Sequence, residues 1–135
     1  MRDPIYPSFA PQLLIDNGVT DFSFYERAFG AVEHFVLRND DGSVHVAELS
    51  IDGAIFHIHE VTATHFLSPS KAGGITAIIG LFTADVDGMM ARAVAAGATE
   101  LSPARDYEYG YRQGEIVDPF GHHWLIQKKT AAVGD

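Results

Sequence analysis

The order of helix stops, turn glycines and apolar runs in the first half of the chain recurs in the second half. Ala28-Phe29-Gly30-Ala31-Val32-Glu33 aligns with Ala95-Ala96-Gly97-Ala98-Thr99-Glu100, so the two helix-ending glycines stand 67 positions apart. Gly53, which opens the run Ala54-Ile55-Phe56-His57, aligns with Gly121, which opens His122-His123-Trp124-Leu125, 68 positions on. A single-residue gap reconciles the two offsets. A period of about half the chain length means two copies of one supersecondary unit, each of which must bury its apolar face against something else.

The content of the unit follows from periodicity and turn chemistry. In the first copy, Gln12–Ile15 reads as a short strand, and Asp16-Asn17-Gly18 as a turn and helix start. Val19, Phe22, Tyr25 or Glu26, and Phe29 recur at helical spacing until Gly30 stops the helix. Strands are predicted over Val32–Arg38, Ser43–Ile51 and Ala54–Val61, separated by Asn39-Asp40-Asp41-Gly42 and Asp52-Gly53. The second copy reads as a strand over Ile75–Thr83, then a helix begun by Asp85-Val86-Asp87 and ended by Gly97. Strands at Thr99–Ser102, Tyr109–Val117 and His123–Lys128 complete it. The prediction is an α+β fold of two tandem βαβββ modules, forming cupped mixed sheets with helices on the outer face. One domain spans residues 1–135, with module one at about 8–61, a linker at 62–74 and module two at about 75–129.

Composition narrows the chemistry. With 135 residues, 47% of them hydrophobic, the chain can bury a core without staples. It contains no cysteine, which excludes disulfides, thiolate metal sites and a cysteine nucleophile. Eighteen acidic residues against nine basic ones give a net charge of −9, which disfavours phosphate backbones and anionic membrane surfaces. Neither nucleic acid nor membrane is therefore expected as a partner. The first residues, Met1–Ser8, do not resemble a signal peptide, and the longest apolar run, Ile75–Phe82, is far shorter than a membrane span. The cytoplasm is the expected compartment. Seven histidines are the surplus with chemical interest.

Two motifs carry a resemblance. Phe24-Tyr25-Glu26-Arg27-Ala28-Phe29-Gly30-Ala31 resembles an FYxxAFGA signature. Tyr109-Gly110-Tyr111-Arg112, followed by Asp118-Pro119-Phe120-Gly121-His122-His123-Trp124, resembles YGxR…DPFGHxW. Together they are similar to the vicinal oxygen chelate superfamily, in its glyoxalase/bleomycin-resistance/dioxygenase branch, over nearly the whole chain. The residues themselves have structural readings: Asp118–Gly121 is a turn, and Phe24, Tyr25, Phe29 and Trp124 are core aromatics. Arg112 has two readings, a pair with a carboxylate such as Asp118 or Glu115, or a contact to a ligand anion.

In that superfamily, members acting on glyoxal adducts or catechols hold a divalent metal with His and Glu side chains inside the cup. The resemblance places the four ligand positions at Ala10, His57, Ile78 and Leu125, three of which cannot ligate. No cofactor is therefore predicted. His57 and His59 share one strand face, and His123 and Gln127 share the inward parity of Leu125, so a divalent metal on His57, His59 and His123 remains the alternative. Glu48 lies on the strand beside His57, whereas Glu60 alternates away from it. His34, His45, His65 and His122 read as surface or turn residues. No GxSxG, HExxH or phosphate-binding glycine loop is present.

Two functions follow as expectations. The first is a metal-free protein that binds a small molecule, an antibiotic or an aromatic or cationic ligand, using His57, His59, His123, Gln127, Tyr109, Tyr111 and Arg112. Aromatic walls stack flat ligands, and net negative charge favours cationic ones. The second is a lyase, isomerase or dioxygenase with a remodelled site at His57, His59 and His123. The resemblance also implies a homodimer, in which halves of two chains build two clefts.

Overall fold

The structure, a computed structural model, describes residues 7–130. Strands β1 (Gln12–Ile15), β2 (Val32–Arg38), β3 (Val44–Ile51) and β4 (Ala54–Glu60) form one sheet in the order β1-β4-β3-β2. Strands β5 (Ile79–Phe82), β6 (Thr99–Tyr107), β7 (Tyr111–Val117) and β8 (His123–Lys129) form a second in the order β5-β8-β7-β6. In each sheet the first strand pairs parallel to the last, and the remaining pairs are antiparallel. Helix α1 (Phe24–Phe29) belongs to the first module and α3 (Val86–Ala95) to the second, with a single-turn helix α2 (Pro69–Ala72) between the modules.

Strand register confirms the repeat residue by residue. His57 pairs with Gln12 and Glu48, and Leu125 pairs with Gly80 and Glu115, which makes His57 and Leu125 counterparts and likewise Glu48 and Glu115. The ladder irregularity between Glu33 and Phe35 recurs between Glu100 and Ser102, again 67 positions on. A bulge re-aims one side chain and sharpens local twist, which helps to cup a sheet.

Several elements differ from the sequence prediction. Helix α1 begins only at Phe24, because the Val19 carbonyl accepts from the Val44 amide at 2.7 Å and holds that segment extended. Strand β5 begins at Ile79, leaving Ile75–Ile78 outside the ladder. Strand β6 runs on to Tyr107 through Pro103, which an edge strand tolerates because no neighbour needs its missing N–H. The linker contains α2, with Pro69 in its first turn and Gly73 closing it at φ 74°.

A single apolar core joins the modules. Ile15, Tyr25, Leu49, Ile58, Ile116, Trp124 and Ile126 are almost wholly buried in it. Tyr25 of α1 packs edge-on to Phe56 and lies against Phe120 and Trp124 of the second module, and the Phe29 and Trp124 rings sit 4.8 Å apart. Both family motifs meet at Asp118, a buried carboxylate. It accepts from the Tyr25 hydroxyl at 2.6 Å and Trp124 Nε1 at 3.0 Å, and from the Phe120 and His122 amides at 2.9 and 3.0 Å. Burial, and then the Asp118 charge, push the Tyr25 hydroxyl well above the usual phenol range, so it stays a donor. Among the described residues, no helix is long and apolar enough to cross a membrane.

Candidate functional site

Alternation decides which side chains can meet a ligand. On β7, Arg112, Gly114 and Ile116 face α3: a Cβ on Gly114 would lie 2.6 Å from Met90 Cε. Tyr111, Gln113, Glu115 and Val117 therefore project from the opposite, concave face. On β8, Trp124 and Ile126 are buried beneath the helices, which leaves His123, Leu125 and Gln127 on the concave side. The first sheet divides in the same way. Phe56 and Ile58 lie in the core, and His57, His59 and Glu48 face outward.

The second concave face carries an aromatic file. Phe82 and Tyr111 have ring centroids 6.2 Å apart, Tyr111 and Tyr109 5.8 Å, and Tyr109 and Tyr107 stack at 5.2 Å. The Arg105 guanidinium lies 4.8 Å over the Tyr107 ring. Beneath the file, Gln113 Nε2 donates to Gln127 Oε1 at 2.7 Å, and the Tyr109 hydroxyl donates to Gln113 Oε1. Gly80, at the neighbouring register position, leaves room for this amide pair, since a Cβ there would lie 2.9 Å from Gln127 Nε2.

Each concave face also carries one histidine–glutamate pair. His57 Nε2 lies 3.1 Å from Glu48 Oε1, directly across the ladder. In the second sheet Leu125 takes the position opposite Glu115, and Glu115 reaches diagonally to His123 Nδ1 at 2.8 Å. A carboxylate beside one ring nitrogen fixes which nitrogen carries the proton and leaves the other free for a ligand or a proton transfer. Sequence reading placed Glu48 beside His57 but missed the Glu115–His123 pair and the Gln113–Gln127 hydrogen bond. The signal was the two-residue alternation of Tyr111, Gln113 and Glu115.

Three expectations need correction. Arg112 faces the helix, with Nη2 2.8 Å from Asp87 and Nη1 3.1 Å from Asp106, so neither Asp118 nor Glu115 is its partner and no cup ligand reaches it from that side. These hydrogen bonds and charges raise its pKa above the usual guanidinium value. His57, His59 and His123 do not converge on one point: His57 and His123 each have their own glutamate, and His59 Nδ1 is held by the Glu60 carbonyl at 2.6 Å. Among the described residues no three His, Asp or Glu side chains form a metal-ligating group. Of the four ligand positions the resemblance implies, Ala10, Ile78 and Leu125 carry no donor side chain and His57 carries one. Tyr109 sits in the tight β6–β7 turn, not on the strand, with Gly110 at φ 94° behind it.

Three of the remaining histidines are tied into the fold. His34 meets Ser50 at 2.7 Å, His45 Nδ1 meets Glu60 at 2.9 Å, and His122 Nε2 donates to the Leu14 carbonyl at 2.7 Å. Glu60 also accepts from Asn17 and Asn39, and these hydrogen bonds, with Asn39 the strongest contributor, hold its carboxyl below the usual range.

Comparison with known proteins gives a consistent picture. The sequence model of the Glyoxalase/Bleomycin resistance protein/Dioxygenase superfamily matches residues 21–126. An uncharacterized protein of Mycobacterium bovis is 34% identical over 133 residues, covering 96% of this chain and 88% of its own. The crystal structure of a gene product from Arabidopsis thaliana superposes with TM-score 0.69 at 27% identity, covering 92% of this chain and all of that one. TioX from Micromonospora sp. ML1 superposes with TM-score 0.66 at 25% identity, covering 90% and 99%.

Proposed function

The chain belongs to the glyoxalase/bleomycin resistance protein/dioxygenase superfamily, and we propose that within it the chain is a metal-free binding protein for flat aromatic, cationic small molecules. The observation that carries this reading is the file Phe82-Tyr111-Tyr109-Tyr107 above the Gln113–Gln127 amide pair, with the Glu115 carboxylate on the same face. A planar cation stacks on tyrosine faces and meets negative charge at Glu115, while the amides read its polar edge. The file lies on an open sheet face, and Phe82 and Tyr109 are each half exposed. A second copy of the chain closes such a face, in keeping with the dimer the resemblance implies. Phe35, Leu37 and Val32 are comparably exposed on the β2 edge strand of the first sheet.

A thermal-shift panel of planar aromatic cations, with neutral and anionic analogues as controls, tests the reading. A ligand at 100 times its Kd raises stability by about 2.7 kcal/mol, and the shift should shrink in Tyr111→Ala. Failure of every cation in the panel, or shifts indifferent to Tyr111→Ala, would overturn it. Elemental analysis tests the metal-free part separately. One tightly held metal equivalent per chain, lost in His57→Ala, would refute it. Sedimentation at micromolar concentration tests the dimer.

One observation favours a second reading, in which the protein is an enzyme. The Glu48–His57 and Glu115–His123 pairs recur on both concave faces, and such pairs serve general acid–base chemistry without metal. Turnover of a bound ligand, abolished by His123→Gln with binding intact, would select this reading over simple sequestration.

A further inference from the structure

The edge strands of the two sheets, β1 and β5, leave a cleft between the modules that neither the aromatic file nor the two histidine–glutamate pairs line. Its volume is about 490 Å³, within the range of about 300–1,000 Å³ typical of small-molecule sites. The wall is mainly apolar: Leu14 from β1, Leu67 and Ala72 from the linker, and Ile75 and Ala77 just before β5. Leu67 is 56% exposed, so the linker presents a large apolar side chain there without covering it.

The linker wall is fastened, not loosely draped. Ser68, almost wholly buried, donates to Asp16 just beyond β1, and Ser70 donates to both Asp16 carboxylate oxygens at 2.9 and 2.8 Å. These bonds hold α2 against the end of β1, so the cleft exists before any ligand arrives, and preorganisation reduces the ordering cost of binding.

His122 is one of four polar side chains in the lining, with Gln12, His65 and Thr76. Its Nε2 bonds the Leu14 carbonyl at 2.7 Å, and a carbonyl only accepts, so Nε2 carries the hydrogen. In the neutral ring Nδ1 is then a hydrogen-bond acceptor. A mainly apolar wall with this acceptor in it suits a compact apolar molecule bearing a hydroxyl or N–H donor.

We propose that the cleft between β1, β5 and the linker is a second ligand site, which takes a neutral, compact apolar molecule with one hydrogen-bond donor directed to His122. This site is separate from the tyrosine face, and its existence does not depend on the function assigned to that face.

The test uses 1-aminoanthracene, a neutral fluorophore with one amine donor, titrated against the full chain, with anthracene as the donor-less control. The expected result is a saturable fluorescence rise at one equivalent per chain, with anthracene several-fold weaker. Ala77→Trp fills the cleft and should weaken binding at least tenfold. Leu67→Asp, a change at an exposed side chain that spares the fold, should also weaken it, and melting curves verify that both variants are folded. Tyr111→Ala should leave the affinity within twofold. No saturable signal overturns the proposal, as does a signal lost in Tyr111→Ala but kept in Ala77→Trp, which would put the probe on the tyrosine face. Loss of binding as the chain is concentrated into a dimer also overturns it, because the cleft is then an interface between copies.

Discussion

The two concave faces share one backbone plan and differ in almost everything they present. At matched register positions the first sheet sets His57 opposite Glu48, and the second sets Leu125 opposite Glu115. Gln12 in the first matches Gly80 in the second, where the missing side chain admits the Gln113–Gln127 pair. The first face is rich in imidazole, the second in tyrosine. Beneath both, the helix-facing sides fuse into one core. Duplication thus preserved the groups that hold the modules together, while the open faces, free of packing constraints, diverged toward different chemistry.

The largest test of that contrast strikes what the halves share. Asp118→Ala removes the acceptor for two side-chain donors and two amides, and should cost about 3–5 kcal/mol. Because Tyr25 and Trp124 come from different modules, urea denaturation should show one weakened cooperative transition. Two separate transitions would show that the modules fold independently.

Next comes a substitution at matched positions. Gly80→Ala puts a Cβ against the Gln127 amide, the end of a side chain that must swing aside, and should cost about 1 kcal/mol through the displaced Gln113–Gln127 hydrogen bond. Gln12→Ala, its register counterpart at an exposed position, should change stability by less than about 0.5 kcal/mol. Equal urea midpoints for the two variants would erase the asymmetry between the faces.

Ligand affinity should also distinguish them. Loss of one aromatic contact in Tyr111→Ala should cost a planar cation about 0.5–1.5 kcal/mol, or roughly two- to twelvefold in Kd. His57→Ala, on the other face, should shift the same titration by less than about twofold if binding follows the tyrosines.

The smallest effect belongs to pH. Glu60 in module one accepts from Asn39, His45 and Asn17, and its carboxyl is held below the ordinary value of 4.5. A folded-state pKa below the unfolded one means stability that is complete above the unfolded value and lost as pH falls through the folded one. Melting temperature should therefore fall on acidification below about pH 4.5, and less steeply in Glu60→Gln. Lys128, the register counterpart in module two, donates instead to the Ala84 carbonyl.

The fold was largely legible because its signals are local. Gly30 and Gly97 end helices, and β3, β4, β7 and β8 announce themselves by alternation and bounding turns. The start of α1 was not legible, since Val19 looks helical until the distant Val44 amide claims its carbonyl. The candidate site was legible by parity but not by partner. Alternation placed Tyr111 and Gln113 on one face and Arg112 on the other. It could not reveal that Asp87 and Asp106 would take Arg112, or that His57 and His123 would each find a separate glutamate.

By itself, then, the sequence determined the repeat, the order of elements within it and the side of each strand on which a residue stands. These follow from short-range periodicity and from backbone conformations that few residues other than glycine adopt. Only the tertiary structure decided which charges pair, that both motifs meet at Asp118, and that an aromatic file and an inter-module cleft lie in different places. Those outcomes depend on register between strands and on packing between modules, and both bring together residues that no local pattern connects.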